Sequence, residues 1–192
     1  TASNSAGNDT ATVTITVSEP LPVIVYNPNS FTLSVGTAMT SVSPTLYGSG
    51  TVDSYSISPS LPSGLSIGST TGTISGTPTA VSSSTTYTVT ATNTAGSDTA
   101  TVTIVVNDVA PSSITYSPNT FTLTKGTAMT TVTPTTTGGT VTTWSVSPSL
   151  PSGLSLASSD GAISGTPTAV SSSATYTITG TNTGGSATTT IT

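Results

Sequence analysis

Cysteine and histidine are both absent from this chain of 192 residues. Without thiols there are no disulfides and no thiolate metal sites. Without imidazole, no ordinary base stands ready to activate any of the many serines. Positive charge is almost missing as well: Lys125 is the only Lys or Arg, set against six acids, Asp9, Glu19, Asp53, Asp98, Asp108 and Asp160. A formal charge of -5 with one cation excludes a basic groove for nucleic-acid phosphates and a basic membrane-binding surface. A glycosidase-type carboxylate pair fails on placement, because Asp53 has Thr142 as its repeat counterpart. The inventory is that of a protein without enzymatic activity. There is no run of about 18 apolar residues to span a membrane and no secretion leader. The chain opens on Thr1, in the middle of a repeat, and reads as a processed chain or an excerpt of a longer one.

What fills the chain instead is hydroxyl and β-branched side chains. About 44% of the residues are Ser or Thr, while 4% are charged, against about a quarter charged in ordinary domains. Polar composition alone suits disorder, but disorder goes with high net charge and few β-branched residues. Here Thr, Val and Ile, stiff at χ1, favour strands.

One stretch occurs twice. Leu61-Pro62-Ser63-Gly64-Leu65, Thr71-Gly72-Thr73-Ile74-Ser75-Gly76-Thr77-Pro78 and Tyr87-Thr88-Val89-Thr90-Ala91-Thr92-Asn93 return as Leu150-Pro151-Ser152-Gly153-Leu154, Asp160-Gly161-Ala162-Ile163-Ser164-Gly165-Thr166-Pro167 and Tyr176-Thr177-Ile178-Thr179-Gly180-Thr181-Asn182. Repetition at this scale marks an array of small modules. Residues 1–18 match the end of the first copy and read as the closing hairpin of a preceding or partner repeat. Residues 19–107 form the first repeat and residues 108–192 the second, whose last strand lacks counterparts of Ile104, Val105 and Val106. Either the chain is cut from a longer array, or the orphan hairpin and the short last strand are complementary parts of an assembly. The linkers Ser18-Glu19-Pro20-Leu21-Pro22 and Asn107-Asp108-Val109-Ala110-Pro111 are short and stiff, which predicts end-to-end modules.

Alternation predicts a half-buried strand over 12–17, with Val13, Ile15 and Val17 on one side. Further strands are expected at 24–26, 31–33, 39–44, 52–57, 65–67, 73–75, 87–91 and 99–106. About seven short strands per module, turn signals every 8–12 residues and no helical period define an all-β fold, a Greek-key β-sandwich in tandem. Phe31, Tyr55 and Tyr87, with their counterparts Phe121, Trp144 and Tyr176, are expected to supply most of each core.

The residues Leu61, Pro62, Gly64, Leu65, Gly72, Ile74, Gly76, Thr77, Pro78, Tyr87, Asn93 and Gly96, with the second-copy Pro151, Gly153, Gly161, Gly165, Pro167 and Tyr176, carry a resemblance. The pattern resembles the He_PIG-type immunoglobulin-like repeats of bacterial and archaeal surface proteins, which are similar to cadherin-like domains of the dystroglycan type. The resemblance covers essentially the whole chain and implies a secreted or surface-attached, non-enzymatic repeat. It implies no particular ligand.

Cadherin-like arrays often bind calcium between modules, which makes Asp9, Glu19, Asp98 and Asp108 candidate ligands near the module ends. Each junction offers only about two acids, and Ala187 stands where a third Asp98-like acid would be, so the feature is incomplete; apart from calcium no cofactor is expected. The competing role for these acids is to keep sheet edges from pairing. Asn8-Asp9-Thr10 is the only N-glycosylation sequon, and the runs Ser82–Thr86 and Ser171–Ser173 could carry O-linked sugars. Three functions fit: a filament, sheath or stalk that self-associates into a fibre or array, an adhesin for a glycan or surface receptor using an end loop around Tyr47, and a spacer in a secreted hydrolase. All three place the chain outside a prokaryotic cell.

Overall fold

A computed structural model describes all residues, 1–192. The chain opens with a small hairpin, β1 (Ala2–Asn4) and β2 (Gly7–Asp9). The first sandwich then comprises β3 (Ile24–Val25), β4 (Ser30–Ser34), β5 (Thr45–Leu46), β6 (Ser54–Ser58), β7 (Leu65–Ile67), β8 (Ile74–Gly76), β9 (Ser82–Asn93) and β10 (Gly96–Asn107). One face is the sheet β4-β10-β9-β6, in which β4 runs parallel to β10 and the other pairs are antiparallel. The opposite face consists of β3-β5 and β7-β8, joined through a bridge between Val42 and Ile74. The alternation of Val102, Ile104 and Val106 sends these side chains into the core while the intervening Thr103, on the other face, is only half-buried; all three apolar groups are at most 1% exposed.

The second sandwich repeats this with β11 (Pro111–Thr115), β12 (Thr135–Gly138), β13 (Thr143–Ser147), β14 (Leu154–Leu156), β15 (Ile163–Gly165), β16 (Tyr176–Asn182) and β17 (Gly185–Ile191). The extra residue between Pro111 and Ile114, relative to Pro22 and Ile24, is absorbed by a register shift between Pro111 and Ser113. The two copies differ in extent: β9 and β10 are 12 residues long, β16 and β17 only 7. Phe121–Thr124, the counterpart of β4, finds no ladder. The buried cluster accordingly shrinks from 12 residues in the first sandwich to 5 in the second.

Three expectations are corrected. Residues 12–17 form no strand, and Val13, Ile15 and Val17 are 77%, 81% and 91% exposed, because no neighbouring strand in the chain offers them a ladder. The strand expected over 39–44 reduces to isolated hydrogen bonds, Met39 N to Gly76 O and Val42 N to Ile74 O, since Pro44 has no N–H to continue the pairing. The cores are aliphatic more than aromatic: Ile74, Val89, Val102, Ile104, Val106, Ile163 and Ile178 are fully buried, whereas Phe31, Phe121, Trp144 and Tyr176 are half-buried. Tyr55 and Tyr87 are buried as expected.

Candidate functional site

The most densely hydrogen-bonded polar feature is the junction at the front of each sandwich. Asn93 closes β9 and is 5% exposed. Its Nδ2 donates to the carbonyls of Pro20, at 2.7 Å, and Thr51, at 3.1 Å, while its Oδ1 accepts from the N–H groups of Ala95 and Gly96. Asn182 repeats all four bonds with Val109 (2.7 Å), Thr140 (2.9 Å), Gly184 and Gly185. A buried amide with both ends satisfied thus pins each linker to the hairpin turn of the module that follows it. Asn4 shows the half of this device that is local: its Oδ1 accepts from Ala6 and Gly7.

Beside each asparagine lies one of the acids singled out from the sequence. The Glu19 carboxylate accepts from the hydroxyls of Thr51 and Thr94, bonds that hold its pKa below the usual carboxylate range. Asp108 accepts from the Thr183 hydroxyl at 3.0 Å, and its own N–H donates to the Thr183 oxygen at 2.8 Å. Asp98 takes the N–H of Ile24 at 2.8 Å and so ties β10 to β3. Asp9 accepts from the N–H of Thr10 in the exposed opening segment. The structure brings no three His, Cys, Asp or Glu side chains together, so these acids sit as separate clamps to protein donors. Asn8 is exposed on β2.

The repeated signature is a scaffold. The carbonyls of Pro62 and Pro151 each accept from the leucine three residues on, at 3.0 Å. Those of Gly64 and Gly153 accept from Thr77 and Thr166, at 3.1 and 3.0 Å. Gly76 and Gly165 accept from Met39 and Met129, and the buried Pro78 and Pro167 from Gly36 and Gly126, all at 2.9 Å. Leu61 packs on the first core. Gly72 and Gly161 sit at φ +67° and +72°, and a Cβ there would lie 2.7 Å from Tyr55 or Trp144. Tyr26 and Tyr116, not singled out from the sequence, donate their hydroxyls to the carbonyls of Gly72 and Gly161. Their only advance signal was recurrence at a shift of 90 residues, the spacing of Phe31 and Phe121.

Exposure singles out one further patch. Val23, just before β3, Val25 on it, Leu46 on β5 and Tyr47 just after it are 44%, 43%, 47% and 56% exposed. Their second-module counterparts, Ser113, Thr115, Thr136 and Thr137, are all hydroxylic. No helix is long and apolar enough to cross a membrane.

Two β-sandwiches in tandem, each opened by a pinned linker, define an immunoglobulin-like repeat protein. The family model described as "Putative Ig domain" (He_PIG) matches residues 22–107 and 111–192, and the chain belongs to this family. Such repeats are typical of surface and adhesion proteins, and the fold is generally non-enzymatic. The chain is similar to eight N-terminal immunoglobulin domains of Down syndrome cell adhesion molecule (18% identity, TM-score 0.49, covering 92% of this chain and 23% of that one). It is also similar to extracellular domains 3–5 of Drosophila OTK (17%, TM-score 0.49, 88% and 60%) and to the titin domains Z1Z2 crystallised with telethonin (17%, TM-score 0.40, 91% and 95%). It therefore spans less than two thirds of the first two of these. Among curated proteins, none matches it.

Proposed function

We propose that the chain is a structural segment of an extracellular filament, sheath or surface stalk of a bacterium or archaeon, whose work is to hold length and orientation. The observation that carries this is the junction between the sandwiches. Asn107, the last residue of β10, accepts from Val35 N at 2.9 Å, and the next residue, Asp108, is already bonded to Thr183 of the second module. No free residue separates the two bodies, so bending requires breaking hydrogen bonds. The nearly uncharged Ser/Thr faces suit lateral packing or glycans, with Asn8 as the N-linked candidate and Ser82–Thr86 and Ser171–Ser173 as O-linked ones. Small-angle scattering tests the joint. A stiff tandem gives one elongated shape with a well-defined maximum dimension, and a profile that requires freely rotating modules overturns the reading.

A second reading rests on the Val23, Val25, Leu46 and Tyr47 patch, which the second module lacks. An apolar patch rimmed by hydroxyls fits an adhesin contact for a glycan or protein receptor. Tyr47→Ser would abolish surface binding under that reading and leave scattering unchanged under both.

A further inference from the structure

The first sandwich presents an apolar strip where the second presents hydroxyls, and the chemistry of the strip selects a class of receptor. Ile24 and Tyr26 are buried, so strand alternation turns Val23 and Val25 to the outer face. Tyr47 donates its main-chain N–H to the Val23 carbonyl at 2.8 Å and stands opposite that residue. Thr45 stands opposite Val25. Directly opposed side chains lie about 5 Å apart, so Tyr47, Val23 and Val25 form one continuous surface with Leu46 beside it. Thr45, Gly48 and Ser49 are exposed around it. Gly48, at φ +86°, has nothing within 4 Å of the place of a Cβ, which leaves open space over the turn.

This exposure belongs to the sandwich itself. Thr115, Thr136 and Thr137 take the same places in the second sandwich, and they stay exposed although a whole sandwich precedes them in the chain. There the hydroxyls of Ser112 and Ser113 pair with that of Thr137, at 2.8 and 2.6 Å, so the face is satisfied by its own groups. The first sandwich has an aromatic ring at that position and one more residue in the turn after it, Gly48-Ser49-Gly50 against Gly138-Gly139.

Area and charge decide between a protein and a glycan. Four side chains about half-exposed offer on the order of 400 Å², the size of a functional patch on a monomer. A stable protein interface takes about 800 Å² from each partner, whereas a few linked sugar rings need no more than the patch provides. No charged residue lies between Pro20 and Val52. Of the acids nearby, Glu19 is held by the Thr51 and Thr94 hydroxyls and Asp98 by the N–H of Ile24. Lys125, the one cation, belongs to the other sandwich. A uronate or sulfate would therefore find no counter-charge here, and the net charge of -5 would repel it. The electron-rich face of Tyr47 instead attracts the slightly positive C–H groups of a neutral sugar ring. Those groups cover a whole ring face only where the hydroxyls are equatorial, as in glucose and N-acetylglucosamine.

We propose that the Tyr47 patch binds a neutral polysaccharide of such rings, a glucan or a chitin-like chain, an inference that rests on the adhesin reading above. One ring stacks on Tyr47 and its neighbour lies over Val23 and Val25. The hydroxyls of Thr45 and Ser49 bond the equatorial hydroxyls at the rim. One aromatic platform binds weakly by itself, and strength comes from many copies engaging one polysaccharide surface at once.

The experiment is an amide NMR titration of the 192-residue chain with cellohexaose, with chitohexaose and with the anionic trigalacturonate. Shifts confined to the amides around Val23, Val25 and Tyr47–Ser49 are expected with one of the two neutral sugars, at a Kd on the order of 1 mM, and none with trigalacturonate. The sugar that binds tells a glucan from a chitin-like chain. Tyr47→Ser should weaken binding at least about tenfold, and Tyr47→Phe should hold it within about twofold, because the ring stacks and its hydroxyl is not needed. Both variants change an exposed side chain, so the fold is kept. Undiminished binding by Tyr47→Ser, an equal loss in Tyr47→Phe, or equal shifts with trigalacturonate overturns the proposal. Beads coated with the chain, settled on microbial and animal cells, separate the two readings. If neither hexasaccharide shifts the patch but beads adhere through Tyr47, the glycan falls and the adhesin contact stands with a protein receptor. If there is neither shift nor Tyr47-dependent adhesion, both fall.

Discussion

The Tyr116 hydroxyl donates to the main-chain carbonyl of Gly161 at 2.6 Å, and Tyr26 makes the equivalent bond to Gly72 at 2.5 Å. Each bond joins the first strand of a sandwich to the turn that precedes β8 or β15, at 46 or 45 residues of separation. Tyr116→Phe leaves the Gly161 carbonyl buried without that donor and should cost about 1–2 kcal/mol. Burial, with the charge of Asp160 second, pushes the Tyr116 hydroxyl up from 10.0 to about 12. Between those values the unfolded chain has released its proton and the folded chain has kept it, so stability falls as pH rises through that window and is fully present below pH 10. Urea unfolding followed by Trp144 fluorescence should show this alkaline loss, and it should be shallower in Tyr116→Phe.

Gly161→Ala places a methyl 2.7 Å from Trp144 Cδ2, on a residue at φ +72°. The left-handed backbone costs a side chain about 1–2 kcal/mol and the overlap about 1–3 kcal/mol more. A destabilisation of roughly 2–5 kcal/mol is expected, with a shift in Trp144 emission because the ring must move. Trp144 is the only tryptophan, so the signal reports on the second sandwich alone. An unchanged spectrum and midpoint would show that the turn accommodates a side chain.

What the sequence revealed, it revealed through periodicity and repetition. The alternation of Val102, Ile104 and Val106 announces a core strand, and Gly72 and Gly161 announce turns, because these signals are local. The same alternation in Val13, Ile15 and Val17 misled, since a strand needs a partner ladder and alternation says nothing about whether one is present. Asn93 was visible as a recurring residue, but its grip on Pro20, 73 residues away, is a tertiary fact. The acids near the junctions are legible as acids, but their threonine partners at 51, 94 and 183 are indistinguishable in sequence from dozens of other hydroxyls. Aromatic residues were overvalued as core because size is readable from a letter and depth is not.

Asn182→Ala removes the donors to Val109 and Thr140 and the acceptor for Gly184 and Gly185. Buried groups left unpaired should cost the second sandwich about 2–4 kcal/mol. The linker is released with them, so scattering should broaden toward a flexible pair of modules. Asn182→Asp keeps the acceptor but sets a carboxylate oxygen against the carbonyls of Val109 and Thr140, so at neutral pH it should cost at least as much as alanine. If Asn182→Ala lowers stability with no change in shape, the asparagine serves only its own turn.

Glu19 provides an acid-sensitive counterpart at the first sandwich. Hydrogen bonds from Thr51, and then Thr94, hold its folded pKa below the ordinary 4.5. The stability it contributes is present above pH 4.5 and is lost as pH falls through the lower folded value. Calorimetry from neutral pH to about pH 3 should show the first sandwich losing a small increment that Glu19→Gln does not lose. The increment is small because the carboxylate is open to water, where such bonds compete with solvent. An equal acid response in Glu19→Gln would place the titrating group elsewhere.

The two sandwiches form an internal comparison for what a few strand residues contribute. β10 continues through Ile104, Val105, Val106 and Asn107, and with them β4 forms, β9 reaches back to Ser82, and 12 residues are buried in the core. β17 reaches Ile191, Thr122–Thr124 finds no ladder beyond the single bond from Phe121 N to Thr192 O, β16 begins only at Tyr176, and 5 residues are buried. The second sandwich should therefore unfold at lower urea than the first, giving a Trp144 transition that precedes the global loss of β signal. Appending Ile-Val-Val-Asn after Thr192 buries two apolar side chains worth about 1.5–3 kcal/mol each. Ordering the added residues opposes this at about 1–2 kcal/mol apiece, but the new main-chain bonds also pair the backbones of Thr122–Thr124 and Ser171–Thr175. The main-chain bonds, at about 0.5–1.5 kcal/mol each, decide the sign, and a net gain is expected that brings the Trp144 transition toward that of the first sandwich. The appended residues act only through pairing, so replacing the appended Ile and second Val with Ser should forfeit the gain. If the serine form stabilises equally, added chain length and not the burial of the two apolar side chains would be the cause.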